Sequence, residues 1–364
     1  MRIAQVAPLA EAVPPLLYGG TERIVSYLTE ELVALGHDVT LFASGDSRTD
    51  ARLEAIVPRA VRLDPSVRDA LAPNVLMLTR VLERLSEFDI VHFHIDHLHL
   101  PVMRSAGVPF LTTLHGRLDL PEIEPLFRAY PEAPFVSISD SQRRPLHFAN
   151  WIGTVHHGLP ERLLRPSLRH SGYLAFLGRI SPEKGPEAAI RIARAAGMPL
   201  RIAAKVDQAD REYFETVVRP MLDQPGVEFV GEIAEAEKSD FLGGAAALLF
   251  PIQWPEPFGL VMIEAMACGT PVIAFNRGSV PEVLEDGVTG FVVEDETGAL
   301  AALHRLDRLD RATIRQRFEA RFTARRMAED YLALYRRLAR AQERPRLLVV
   351  GGRPALAGPE GPAA

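Results

Sequence analysis

The chain has 364 residues, 47% hydrophobic and 24% charged, with a formal net charge of -6. That is room for two ordinary globular domains, and the acid excess leaves no broad basic field for nucleic acid. One cysteine, Cys268, excludes an intrachain disulfide, and no stretch reaches the ~20 apolar residues of a membrane span or the unbroken core of a secretory signal, so cytoplasmic residence is expected. In chain order, apolar runs alternate with amphipathic stretches, which predicts α/β units on parallel sheets. Strands are expected over 2–7, 39–43, 90–94, 110–114, 135–138 and 154–156, and helices over 21–35 and 75–88. The segment between Gly45 and Pro73 carries no clear pattern. Residues 158–172, with two prolines and three arginines, read as an interdomain linker.

The second half repeats the alternation. Strands are expected over 173–177, 200–204, 227–230, 247–250, 272–274 and 290–293, with helices near 183–196, 208–222, 235–243, 259–267 and 280–285. From 295 to about 342 the chain should be helical, and its last part places apolar residues at 327, 331, 334, 335 and 338, one helix face. The Gly-, Pro- and Ala-rich residues 343–364 read as a disordered tail.

Chemistry concentrates in PIQWPEPFGLVMIEAMACGTP, residues 251–271. Three prolines stiffen a loop after a strand, a helix starts near Phe258, and Gly269 caps its end. Glu256 precedes the helix and Glu264 lies inside its apolar body, where a carboxylate needs a partner. The amides of Phe258, Gly259 and Leu260 form a positive helix end at the carboxyl edge of a sheet, a ready anion site. A second unit, LAFLGRISPEKGPEAAIRIA, sets Arg179 at a strand end and Lys184 in the first turn of a helix capped by Ser181. Two cations there oppose the helix dipole, which makes sense if an anion binds between them. Only three of the 41 basic residues, Lys184, Lys205 and Lys238, are lysines, so each merits inspection.

Elsewhere the signals are softer. Gly19 and Gly20 precede the first helix in LLYGGTERIVSYL, without the G-x-G-x-x-G dinucleotide fingerprint. Eight of eleven histidines lie between 92 and 157. His92 and His94 share a strand face, read as a polar cleft wall rather than a metal site. No Asp-x-Asp motif is present, and no metal is expected.

The Glu256-Pro-Phe-Gly-Leu…Glu264 spacing resembles the signature of retaining GT-B glycosyltransferases, specifically glycosyltransferase family 4, and the GGTER and GHDVTLFASG segments are similar to that family as well. The resemblance covers about residues 1–340. It implies the GT-B fold, two Rossmann-like domains facing each other across a cleft. The acceptor-side domain would be 1–160 plus a crossover helix 323–342, and the nucleotide-sugar domain 172–320. It implies transfer of a sugar from a UDP-, GDP- or ADP-linked donor with retention, to a small-molecule, glycan or lipid-linked acceptor, with no cofactor. By the family pattern Glu256 would meet donor sugar hydroxyls and Glu264 the ribose diol. The amides of Phe258, Gly259 and Leu260 would meet the sugar and diphosphate, Arg179 and Lys184 the diphosphate, His115 the sugar and Ile233 the base. Gly19 and Gly20 would lie at the cleft. His156-His157-Gly158 departs from the family's usual Asn-Gly pair, and no role carries over there. The alternatives are a nucleotide-sugar epimerase or phosphorylase on the same fold, and a non-catalytic nucleotide-sugar-binding protein.

Overall fold

A computed structural model of the chain describes residues 1–17 and 19–343, so the reading of 344–364 as a disordered tail lies outside the described residues. Two parallel sheets organise it. The first has the order β3-β2-β1-β4-β5-β6-β7. Its strands are β1 (Arg2–Val6), β2 (Asp38–Ala43), β3 (Arg52–Ala55), β4 (Ile90–Phe93), β5 (Phe110–Thr113), β6 (Phe135–Ser137) and β7 (Trp151–Thr154). The second has the order β10-β9-β8-β11-β12-β13. It consists of β8 (Tyr173–Arg179), β9 (Leu200–Lys205), β10 (Val227–Gly231), β11 (Ala245–Phe250), β12 (Val272–Phe275) and β13 (Gly290–Val293). In both, the chain order reverses beside the first strand, which opens a crevice at the carboxyl ends of the strands.

Central strands are buried from end to end: all residues of β4, β11 and β12 are buried. That is the signature of sheets covered by helices on both faces. The helix Gly20–Ala34 lays Ile24, Leu28 and Leu32, four residues apart, onto the core with Ile3 and Val39. Each such side chain contributes about 1.5–3 kcal/mol on burial.

Four expectations are corrected. The patternless segment after Gly45 holds β3, a sheet-edge strand. The strand expected over 154–156 runs Trp151–Thr154. The helix expected over 75–88 spans Leu71–Glu83 and ends in a tight turn, Leu85–Glu87. The helix near 208–222 is broken by a wide turn at Phe214–Val218.

After the second sheet the chain returns. The helix Ala324–Glu343 begins where Thr323 bridges Leu159, and it buries Met327, Tyr331 and Tyr335 against the first domain. Gln5 of β1 donates to the Tyr335 hydroxyl at 3.0 Å. Across the cleft, Glu282 accepts from the amides of Asp140 and Ser141, each at 2.7 Å, and Ser139 Oγ donates to the Pro257 carbonyl at 2.7 Å. Among the described residues no helix is long and apolar enough to cross a membrane.

Candidate active site

The loop after β11 and the helix Leu260–Ala267 form the floor of the cleft. The helix starts two residues later than expected, because Gly259, at φ 78°, takes the left-handed conformation at its N-cap. Ser279 Oγ donates to the Phe258 carbonyl at 2.8 Å and fixes the loop below it. Glu256 is 8% exposed and receives Lys184 Nζ at 2.5 Å and Trp254 Nε1 at 2.9 Å on one carboxylate oxygen. Glu264, 3% exposed, has the partner its burial demands: Lys238 Nζ donates to Oε1 at 2.7 Å. Lys238 also approaches Glu235 at 3.3 Å, and Glu235 is ion-paired with Arg23 of the other domain. The cleft is thus tied shut beside Glu264 by a chain of alternating charges.

Lys184 is delivered differently from the expectation. Ser181 makes no capping bond. Pro182–Lys184 form one tight turn, and the helix proper is Pro186–Ala195, with Pro186 in its first turn. Between them Gly185 has φ +69°, and a Cβ there would stand 2.2 Å from the Pro251 carbonyl oxygen, so only glycine lets the turn approach the Glu256 loop. Arg179 ends β8 beside Lys205 of β9. It pairs with Glu183 at 2.7 Å and lies 3.7 and 3.9 Å from Asp207 and Asp210, while Lys205 pairs with Asp207 at 2.9 Å. The two cations expected to face an anion therefore also hold carboxylates.

Two adjoining cavities occupy the cleft. The smaller, about 130 Å³, is lined by Ile233, Glu264, Lys205 and Lys238. The larger, about 460 Å³, is lined by His115, Arg179, Lys184, Glu256, Phe258 and Gly259. Gly19, Gly20 and Leu260 border both. Every residue that the family resemblance set at the cleft or the donor lies on one of these walls. All three lysines of the chain do as well, although only Lys184 had been given a task. Their rarity was the signal for Lys238 and Lys205; nothing local in sequence pointed to Arg23, Glu235 or Trp254.

His115 sits at the end of a buried polar chain. The Gln5 amide donates to Tyr335, so its oxygen accepts from His94 Nε2 at 2.8 Å, which leaves His94 Nδ1 to accept from His115 Nε2 at 2.9 Å. His92 bonds Tyr335 and Thr113, each at 2.7 Å, and Thr113 bonds Tyr331 at 2.9 Å. The crossover helix therefore orients a histidine of the cleft through hydroxyls and imidazoles. Burial pushes His92, His94 and His157 well below the usual imidazole range, and His99 down to about 3. These rings are neutral at pH 7.

Two family models match the chain, "Glycosyltransferase Family 4" over residues 18–175 and "Glycosyl transferases group 1" over 168–318. Among curated relatives, the phosphatidyl-myo-inositol mannosyltransferase of Mycobacterium leprae is 27% identical over 353 residues, covering 88% of this chain and 90% of the relative. The glycogen synthase of Mycobacterium tuberculosis is 28% identical over 403 residues, covering 93% and 96%. Among solved structures, AviGT4, a glycosyltransferase involved in avilamycin A biosynthesis, superposes with a TM-score of 0.71 at 25% identity, covering 94% of this chain and 98% of that one.

Proposed function

The chain is a glycosyltransferase of the family 4, GT-B type, and from that premise we propose that it moves a hexose from a nucleoside diphosphate donor, without a metal and with retention at the anomeric carbon. The observation that carries this reading is the pair of cation–carboxylate contacts flanking one helix N-terminus, Lys184 with Glu256 and Lys238 with Glu264, each on its own cavity. The smaller cavity suits the nucleoside, with Glu264 accepting from the ribose diol and Ile233 beside the base. The larger suits the sugar and diphosphate. There Glu256 and His115 meet sugar hydroxyls, while Arg179, Lys184 and the amides at the start of the helix Leu260–Ala267 oppose the charge of the leaving group.

In the proposed step the acceptor hydroxyl oxygen bonds to the anomeric carbon as the bond from that carbon to the diphosphate breaks. The bonding pair leaves with the nucleoside diphosphate, and the hydroxyl proton passes to the departing phosphate oxygen. Attack on the face the leaving group vacates preserves configuration. The two relatives differ in the acceptor they are named for, phosphatidyl-myo-inositol and glycogen, so neither supplies the acceptor here.

The test is a thermal-shift panel of UDP-, GDP- and ADP-sugars, since a ligand that binds only the folded state raises the melting temperature by mass action. Turnover of the best donor in excess EDTA follows, with the product anomer read by NMR. Expected are one stabilising nucleotide, undiminished activity in EDTA and an anomer matching the donor. An inverted product, or loss of activity in EDTA reversed by Mg²⁺ or Mn²⁺, contradicts the proposal.

A further inference from the structure

On the wall contributed by the first domain stand polar groups that the donor reading leaves unused. Glu22, in the first turn of the helix Gly20–Ala34, is 6% exposed and lines the larger cavity. Its carboxylate accepts from the backbone amides of its own helix turn and of Glu11 and faces the Arg62 charge, and among the described residues it has no hydrogen bond to another side chain. Arg62 lines the same cavity, and its guanidinium donates at 2.9 Å to Glu11, a buried carboxylate, so one cation is shared between Glu11 and Glu22. A further cavity of about 390 Å³ continues outward, sharing Pro8, Thr21 and His115 with the larger one and adding Asn74 and Asp96. Asp96 holds the left-handed region at φ 55°, which aspartate adopts more readily than most non-glycine residues.

This wall therefore offers hydrogen-bond acceptors on Glu22 and Asp96, a hydroxyl on Thr21 and an amide on Asn74. His94 and His115, which border the outer cavity, are held neutral by burial and add no positive charge. The buried Glu22 carboxylate attracts hydroxyl and ammonium hydrogens and, with the exposed Asp96 at the outer rim, repels a second anion.

Resting on the glycosyltransferase reading, we propose that these joined cavities are the acceptor subsite, that Glu22 receives the acceptor's hydrogens, and that the acceptor is a polyhydroxylated ring carrying no anionic group. Its reacting hydroxyl lies at the junction of the two cavities, beside His115 and Thr21 and facing Glu256.

The test uses the full chain with the nucleotide sugar that stabilises it most. The probes are glucose, glucosamine and glucose 6-phosphate, together with myo-inositol and myo-inositol 1-phosphate. Nucleoside diphosphate release above the rate in water alone is the readout. The uncharged or amine-bearing probes should accelerate release, and each phosphorylated partner at least tenfold less. Glu22→Gln should raise the acceptor KM at least tenfold, while nucleoside diphosphate affinity by calorimetry stays within threefold. Asp96→Asn, at the outer cavity, provides an independent variant and should raise the same KM at least threefold. Preference for a phosphorylated probe, an acceptor KM unchanged in both variants, or no probe exceeding the water rate overturns the inference. A wild-type chain that binds no nucleotide sugar overturns the donor reading as well, so the two failures are distinguishable.

Discussion

Lowering the pH from 7.5 to 5 is expected to remove most of the conformational stability, with the loss beginning near pH 6.5. His92, His94, His99 and His157 are at most 4% exposed, and burial depresses the pKa of each. His92 and His94 pack against each other, and the four meet Tyr331, Tyr335, Thr112, Thr113, Gln5, His115, Phe93 and Phe258, with no carboxylate in contact among the described residues to favour the charged form. Arg326, the charged group facing His157, also disfavours the imidazolium. The sign follows from linkage. The unfolded chain takes up these protons through its ordinary pKa of about 6.5 while the folded chain does not, so the stability is complete above that pH and is lost as pH falls toward the folded values. At pH 5 each histidine costs about 2 kcal/mol, roughly 8 for four, against a typical domain stability of about 5–15 kcal/mol. Denaturant titrations at half-unit pH steps should approach a slope of about 5 kcal/mol per pH unit in this window. A stability flat to within about 1 kcal/mol between pH 7.5 and 5 contradicts the burial of neutral imidazoles.

Lys184→Ala is expected to lower kcat/KM by about 10²–10³, or roughly 3–4 kcal/mol of transition-state stabilisation. The ammonium acts twice. It holds Glu256 at 2.5 Å and lies 5.7 Å from the Trp254 ring, and in the proposed step it meets charge developing on the diphosphate. Without it, Glu256 keeps Trp254 Nε1 at 2.9 Å as a hydrogen-bond donor, and a nearly buried carboxylate loses its counter-ion. Lys184→Arg should recover only part of the loss, because a planar guanidinium cannot occupy the place of a compact ammonium between Glu256 and the Trp254 ring. Steady-state kinetics of both variants check this. Activity within threefold of wild type in Lys184→Ala removes Lys184 from the mechanism.

The second domain was readable from sequence because its inner strands β11 and β12 are fully apolar runs, AAALLF and VIAF, set between Gly and Pro punctuation. The first domain's edges were not. RLEA and WIGT are the outermost strands of their sheet, packed on fewer sides; RLEA alternates over only four residues inside a polar segment, and WIGT neither alternates nor forms an apolar run. The glutamates were legible because loop, helix start and both carboxylates lie within one short segment. Lys238, 26 residues before Glu264, was not, because that contact depends on how the loop after β10 folds over the helix Leu260–Ala267. The bond from His92 to Tyr335 spans 243 residues and needs the register of β4 and the path of the returning helix together. The Ser181 expectation failed for a local reason: Gly185 turns the chain before the helix begins, so the cap position belongs to Gly185.

Nucleoside diphosphate titrated calorimetrically into wild type, Glu264→Gln and Glu256→Gln tests the donor assignment most directly. A lost charged hydrogen bond is worth about 1.5–3 kcal/mol, so Glu264→Gln should weaken the nucleotide at least tenfold. Glu256→Gln should leave that affinity within threefold and instead lower turnover and blur discrimination between epimeric sugars. Loss of nucleotide affinity in Glu256→Gln with none in Glu264→Gln would reverse the pair, and unchanged affinity in both would place the donor outside this cleft.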